Sequence, residues 1–449
     1  MHAPSTLFAG QVLIFALLAA LSGCTASPQA ASFATNSPAQ ASPTLNSVST
    51  STSLTPSPQS SLSPLATPAA PLEQALHQFT GDALVYARPD RFLMITDASG
   101  QQNMWLSARI CNMMNGSIEQ RGIWSEDGRY LAITCNHDPG SDAVLTSILD
   151  TRTGKVQRLD LEENWVVAER WSPTSPQVLI HASGIDAANW YIVDAPTGQI
   201  ATFPALSKSN DTAAWSPDGA QAAIAGQAEG QPDTVHLINV DGTLFRQLSV
   251  DQEPHYYGLN GPISWSPDGK SLLLNRQLNP ASDTYTYQAI RLDVDTGHVQ
   301  TLTESPYDSL EFQWSPDGAW FLAGHTGRPG SHVGQWSLYD ANGAFVRLIS
   351  TDPNRDHIAI RWLPDSQRFV IMAVRFTDGV ELIISDLQGN EQVIARYPDN
   401  GPSFPALAVA SSGSLVATGL SNQDIVIADI QGNEQTIVQG RINEWRPRP

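Results

Sequence analysis

Trp215-Ser216-Pro217-Asp218-Gly219 returns unchanged as Trp265 to Gly269 and as Trp314 to Gly318. Looser copies begin at Trp124 (W-S-E-D-G), Trp171 (W-S-P-T-S) and Trp362 (W-L-P-D-S), with steps of 47, 44, 50, 49 and 48 residues between the six tryptophans. A period of that length, built from strand-like runs, predicts an all-β fold of propeller blades. Within the phrase, Ser suits the first position of a type I turn, Pro pre-sets φ at the second, and Gly suits the fourth. Apolar strands follow the copies, as in Ala222-Ala223-Ile224-Ala225 and Leu272-Leu273-Leu274, so each copy reads as a hairpin turn. The Trp ends the first strand of the hairpin, where burying its ring removes about 150–250 Å² from water, roughly 4–6 kcal/mol gross.

A second phrase alternates with the first: an apolar strand, an Asp-x-x-Gly turn or a near relative, and another strand. Its copies are Asp97 with Gly100, Asp150 with Gly154, Asp194 with Gly198, Asp241-Gly242, Asp295 with Gly297, Asp340 with Gly343, Asp386 with Gly389, and Asp429 with Gly432. Each unit then has four strands, A to D from the hub outward, with the Trp phrase joining A to B and the Asp–Gly phrase joining C to D. Eight C–D turns set the expected count at eight blades, with seven as the alternative. A degenerate A–B turn falls at Ala410-Ser411-Ser412-Gly413, and a final Trp445 stands near the end. The segment from about Asp82 to Leu106 has B, C and D strands but no A strand, and 442–445 has an A strand alone. The two ends are expected to share one blade, which leaves the ring only short, protected sheet edges. The tryptophans Trp124, Trp171, Trp215, Trp265, Trp314, Trp362 and Trp445 form the expected repeat core. Trp105, Trp165, Trp190, Trp320 and Trp336 fall within strands and are expected to pack between blades.

The W-S-P-D-G hairpin resembles the TolB-like, WD40-like (PD40) β-propeller repeat over roughly residues 80–449. The resemblance implies a propeller and, through TolB, recognition of an envelope protein. The repeat also occurs in propellers of prolyl-oligopeptidase-like enzymes, so it speaks for fold more than for function. TolB itself has six blades and a separate α/β domain, and the likeness is to its propeller alone.

The first 72 residues contain no Asp, Glu, Lys or Arg, so the net charge of −20 belongs to residues 73–449. That balance argues against nucleic acid as a partner, because phosphates require neutralising cations. Leu7 to Leu21 is apolar except for Gly10 and Gln11, the length of a signal-peptide core. It ends in Leu21-Ser22-Gly23-Cys24, which resembles the bacterial lipobox and implies a lipidated Cys24, although no Lys or Arg precedes the core. An ordinary signal peptide with an incidental Cys is the alternative. Thr25 to Leu72 is rich in Ser, Thr, Pro and Ala and lacks the apolar content to fold. As a stalk its 48 residues reach about 150 Å if polyproline-like, or roughly 40 Å as a coil. The expected organisation is a lipoprotein signal peptide at 1–23, a lipidated Cys and stalk at 24–78, and a propeller at 79–449, held on the outer side of a bacterial membrane.

Hairpin parity puts the A–B and C–D turns on one face of the disc and the B–C and D–A connections on the other. The second face carries the irregular sequence, and binding residues concentrate on such loops. The candidate binding residues there are His137, Asp138, His181, His255, Tyr256, Tyr257, His325, Arg328, His332 and His357. Cys111 and Cys135 fall at the same end of one unit. A disulfide between them would close about 25 residues and contribute roughly 3 kcal/mol; two buried thiols are the alternative. Asp293 with Asp295 has the look of a carboxylate pair but precedes a C–D turn. No G-x-S-x-G elbow, H-E-x-x-H or phosphate loop occurs. No cofactor or metal is expected. The leading expectation is a non-catalytic binding module for an envelope protein or a glycan. The alternative is a propeller enzyme, lactonase- or glycosidase-like, working at the pore.

Overall fold

A computed structural model describes residues 79, 82–88, 93–106, 121–136, 143–184, 188–204, 212–226, 232–250, 263–278, 286–305, 311–324, 336–349, 352, 354–375, 379–397, 407–420 and 424–446. These form strands and turns, with no helix among them. Six sheets have four strands each. A seventh has eight, and consists of two antiparallel sets of four (121–158 and 165–204) bridged by one parallel pair, Val144 with Trp165. The bridge arises because the Val144 N–H donates to the carbonyl of Asn164 at 2.8 Å. Consecutive strands pair antiparallel within every set of four, in the A–B–C–D order of the sequence reading. The first sheet departs from chain order as expected: Arg441–Trp445 pairs with Ala83–Ala87, which continues to Leu93–Asp97 and Asn103–Trp105.

B and C strands are mainly apolar because both of their faces are covered. Val144–Asp150 and Arg368–Arg375 are buried along almost their whole lengths. Apolar clusters fill the spaces between consecutive sets of four, and one of them joins the set 407–439 to the sheet holding both chain ends. D strands have one open side, which leaves Leu244, Phe245, Phe345 and Val346 exposed.

The Trp phrase acts through polar groups as well as through burial. The four turns with both Ser and Gly carry a hydrogen bond from the Gly N–H to the Ser carbonyl, as in Gly219 to Ser216 at 2.9 Å. The Gly stands at positive φ, +67° for Gly219, a conformation glycine adopts at little cost. The Ser216 hydroxyl donates to Asp218 at 2.6 Å, and Asp218 Oδ1 accepts the Ala220 N–H at 3.0 Å. The same triad recurs at Ser125–Asp127, Ser266–Asp268 and Ser315–Asp317. These bonds, from Ser216 first and then from the Ala220 N–H, hold the Asp218 carboxyl below the usual range. Ser366 replaces the glycine in one copy and is the described non-glycine residue with positive φ, 59°. Its hydroxyl accepts the Asp317 N–H of the preceding turn at 2.9 Å, a bond glycine would not make.

The indole N–H is the part that the sequence did not disclose. Trp171 Nε1 donates to the Ile123 carbonyl (3.0 Å), Trp215 to Arg170 (3.2 Å), Trp265 to Ala214 (3.1 Å) and Trp362 to Gln313 (3.1 Å). Every acceptor is the residue just before the preceding unit's tryptophan. Trp445 follows the rule by donating to Ala408 at 3.3 Å, which makes Val409 the tryptophan-equivalent residue of the degenerate copy. This agrees with the turn read at Ala410 to Gly413: Ala410 takes the Ser position, accepting the Gly413 N–H at 2.8 Å. Among the other tryptophans, Trp190 and Trp336 are buried, but Trp105 and Trp165 are 43% and 45% exposed, so these two do not pack between sheets as expected.

Candidate functional site

The A–B and C–D turns of five sets are tied together, for example by the Thr151 N–H donating to the Arg129 carbonyl and the Val294 N–H to that of Lys270, both at 2.9 Å. They therefore share one face. Asp293 belongs to this scaffold: its Oδ1 accepts both the N–H and the hydroxyl of Thr296, which rules out a paired role with Asp295. In the C–D turn before Thr243 the corresponding position is Asn239, with Asp241 accepting from Thr243.

Cys24, Cys111, His137, Asp138, His255, Tyr256, Tyr257, His325, Arg328 and His332 lie outside the described residues. Cys135 is fully buried and disulfide-bonded. His181 and His357 are described, and both belong to strands where loops were expected. His181 stacks on Trp190, ring centroids 4.9 Å apart, because the two residues are opposite each other on neighbouring strands. His357 is 2% exposed on the A strand Arg355–Trp362, and no group among the described residues meets its Nε2. The two histidines sit in different, non-consecutive sheets and do not form one constellation.

Burial first, and then the nearby Arg355 charge, push the His357 imidazole down to about 4. Between pH 6.5 and 4 the unfolded chain therefore binds a proton at this residue that the folded chain does not. Its contribution to stability is full above pH 6.5 and declines as pH falls toward 4, by about 3 kcal/mol in all. The turn aspartates act lower, since their depressed carboxyls lose their stabilising bonds only as pH falls below 3.8. Urea unfolding across pH 7 to about 2 should show both limbs. His357→Phe should flatten the upper limb, and an unchanged slope in that variant would assign it to another group.

Two polar constellations occupy the end of the sheets opposite the A–B and C–D turns. In the set 165–204, Glu163 Oε1 accepts from Asn189 (2.7 Å) and from Tyr191 (2.8 Å). Burial and the Glu163 carboxylate push the Tyr191 phenol up to about 12. In the set 355–397, Glu381 is the centre. It stands on the C strand Gly379–Asp386 with its side chain 2% exposed. Arg355 Nε reaches its Oε2 at 3.0 Å, Arg375 Nε the same oxygen at 3.3 Å, and Arg396 Nε its Oε1 at 3.0 Å. Asp352 binds Arg375 Nη2 at 2.8 Å. Strand register explains the convergence: Ala373 faces both His357 and Glu381, and Glu381 faces Arg396, so one row crosses all four strands. Burial works to raise the Glu381 carboxyl, but the three guanidiniums outweigh it and hold it below the usual carboxylate range. Sequence reasoning passed over this cluster. Its signal is a glutamate inside the apolar run Val380-Glu381-Leu382-Ile383-Ile384.

Antiparallel four-stranded sheets with covered inner strands, repeated about apolar clusters and joined by a tryptophan-capped turn, define a β-propeller. The family model for the TolB beta propeller domain matches residues 88–319, just over half of the chain, and the protein belongs to that family. Among curated relatives, an uncharacterized protein of Agrobacterium fabrum is 27% identical over 191 residues, covering 42% of this chain and 61% of the relative. An uncharacterized peptidase of Bacillus subtilis is 25% identical over 166 residues, covering 30% of this chain and 24% of the relative. The chain thus spans less than two thirds of the length of either. Among solved structures, Porphyromonas gingivalis dipeptidyl peptidase 4 superposes with a TM-score of 0.56 at 12% identity, over 79% of this chain and 58% of that one. TolB from Acinetobacter baumannii matches at a TM-score of 0.38 and 17% identity, over 74% of this chain and 82% of TolB.

Proposed function

We propose that this protein is a lipid-anchored, extracytoplasmic propeller of eight blades, closed by its two chain ends, that binds an envelope protein or a glycan through its irregular face. The pairing of Arg441–Trp445 with Ala83–Ala87 carries the closure. The order of neighbouring A strands supports it, since each unit's A strand lies beside the next and Arg441–Trp445 lies beside both Leu407–Val409 and Arg121–Trp124. A disulfide at Cys135 favours an oxidising compartment outside the cytoplasm. Cys111 is its proposed partner. Residues 1–23 serve as the signal peptide, Cys24 as the lipidated residue, and 24–78 as the anchored stalk, with the propeller at 79–449.

Binding rather than catalysis is favoured by how the polar side chains at the irregular end are used. Glu381 is saturated by guanidiniums, so it is not free to accept a proton from a substrate. The relatives with enzyme names are matched over a minority of one and little more than half of the other, which leaves their chemistry with them.

Cross-linking in intact cells followed by affinity capture tests the reading. One partner recovered reproducibly supports it, whereas no consistent partner, together with hydrolysis of a lactone or glycoside panel, would replace it with the pore-enzyme alternative. The anchor has its own test. Cys24→Ser should move the protein from the membrane to the soluble fraction, and retention on the membrane would refute lipidation at that residue.

A further inference from the structure

We propose that Arg396 is a recognition residue for a single carboxylate carried by a protein partner, an acidic side chain or a chain terminus set among uncharged neighbours. The proposal rests on the reading of the irregular face as a binding face and supplies the chemistry of its partner.

Arg355, Arg375 and Arg396 are not equivalent. Arg355 reaches Glu391 (2.5 Å) as well as Glu381, and Arg375 reaches Asp352 as well as Glu381. Arg396 donates only its Nε, to Glu381, and no group among the described residues meets its Nη1 or Nη2. Its side chain is 64% exposed, against 12% for Arg355 and 27% for Arg375. It is also fixed from behind. Glu381 is buried, points across the sheet in register with Arg396, and is itself gripped by two other guanidiniums. A guanidinium held through Nε turns its Nη1/Nη2 edge outward, and that fork matches the two oxygens of a carboxylate. Because the group is already ordered, little side-chain freedom remains to be lost on binding.

Position and charge narrow the partner. Arg396 lies on Glu391–Tyr397, the outermost strand of its sheet, at the end where the B strand Arg368–Arg375 stops and the C strand Gly379–Asp386 starts. A ligand can therefore approach without entering the pore. The chain carries 24 Lys and Arg against 44 Asp and Glu. Such a surface repels polyanions at long range while a short-range fork still accepts one isolated charge. Uronate polymers and nucleic acids are thereby disfavoured, and a lone carboxylate within a neutral segment is a feature of polypeptides.

The experiment uses the purified full chain and a displayed library of random 16-residue peptides, with binders re-measured as synthetic peptides. Selected binders should contain Asp, Glu or a free C-terminus, and amidating that group should weaken binding at least 10-fold. Arg396→Lys keeps a positive charge for Glu381 but removes the fork. It should lose the same factor toward the acidic peptide and nothing further toward the amidated one, while its thermal midpoint stays unchanged. Losses that simply add, or binders without an acid, overturn the proposal. Retention of a sialylated glycan that is lost in Arg396→Lys, with no peptide selected, overturns the protein source. If cell cross-linking recovers a partner equally well with Arg396→Lys, the carboxylate proposal fails and the binding reading stands. If neither the library nor the cross-linking yields a partner, both fail.

Discussion

Deletion of residues 441–449 is expected to cost more than about 5 kcal/mol of unfolding free energy, enough to leave much of the protein unfolded at 37 °C given typical totals of about 5–15 kcal/mol. The strand Arg441–Trp445 supplies the A strand to a sheet whose other strands come from the opposite end of the chain. Its loss would bare Leu84 and Val85, both fully buried, and remove Trp445, which is 4% exposed. The tryptophan alone accounts for roughly 4–6 kcal/mol gross. Local ties to the next sheet would go as well. The Glu444 carboxylate accepts the Trp124 N–H at 2.7 Å, and Arg446 donates to the carbonyl of Gly128 at 2.9 Å while its guanidinium lies 5.1 Å over the Trp124 ring. Urea unfolding followed by far-UV circular dichroism measures the effect. A loss below about 1 kcal/mol would mean that the remaining sheets stand without this seam.

Trp265→Ala is expected to destabilise by roughly 3–5 kcal/mol, and Trp265→Phe by about 1–2 kcal/mol. The ring is 8% exposed among Ala214, Leu272, Leu274 and Leu292. Alanine leaves a cavity between two sheets. Phenylalanine restores much of the apolar contact but leaves the Ala214 carbonyl without the indole donor that now meets it at 3.1 Å. The Trp265→Phe loss therefore reports mainly the inter-sheet hydrogen bond, and the further loss in Trp265→Ala reports the packing. Equal losses in both would show that the hydrogen bond, not the packing, matters at this position.

The fold was legible because a propeller repeats one local solution. The Ser–Asp–Gly turn closes on itself within five residues, as in Ser216 to Ala220, and its chemistry is visible in any single copy. The strands before and after it announce themselves by apolar runs. Even the shared sheet could be read, because Asp82 to Leu106 lacked an A strand and the last tryptophan lacked everything after it. Spacing and Gly413 placed the degenerate turn at Ala410 to Gly413 but left its tryptophan-equivalent residue unnamed. The acceptor of the Trp445 indole, Ala408, sets the register.

The candidate site was much less legible. Histidines at supposed loop positions suggested a convergent pore site, yet His181 and His357 belong to strands, one stacked on Trp190 and the other enclosed and neutral. Loop boundaries could not be read to within the few residues that separate a strand end from a connection. Arg355, Arg375 and Arg396 are far apart in sequence and fall in unremarkable surroundings, so nothing local marks them as neighbours.

Turn chemistry and two-sided burial of the inner strands are decided over a handful of adjacent residues, and the amino-acid order alone determined them. Which carbonyls the indoles of Trp171, Trp215, Trp265, Trp362 and Trp445 meet, which guanidiniums close on Glu381, and why Arg396 keeps a free edge were decided only by the tertiary structure. Those contacts depend on cross-strand register and on how one sheet lies against the next, and such distances arise only when segments tens of residues apart come together.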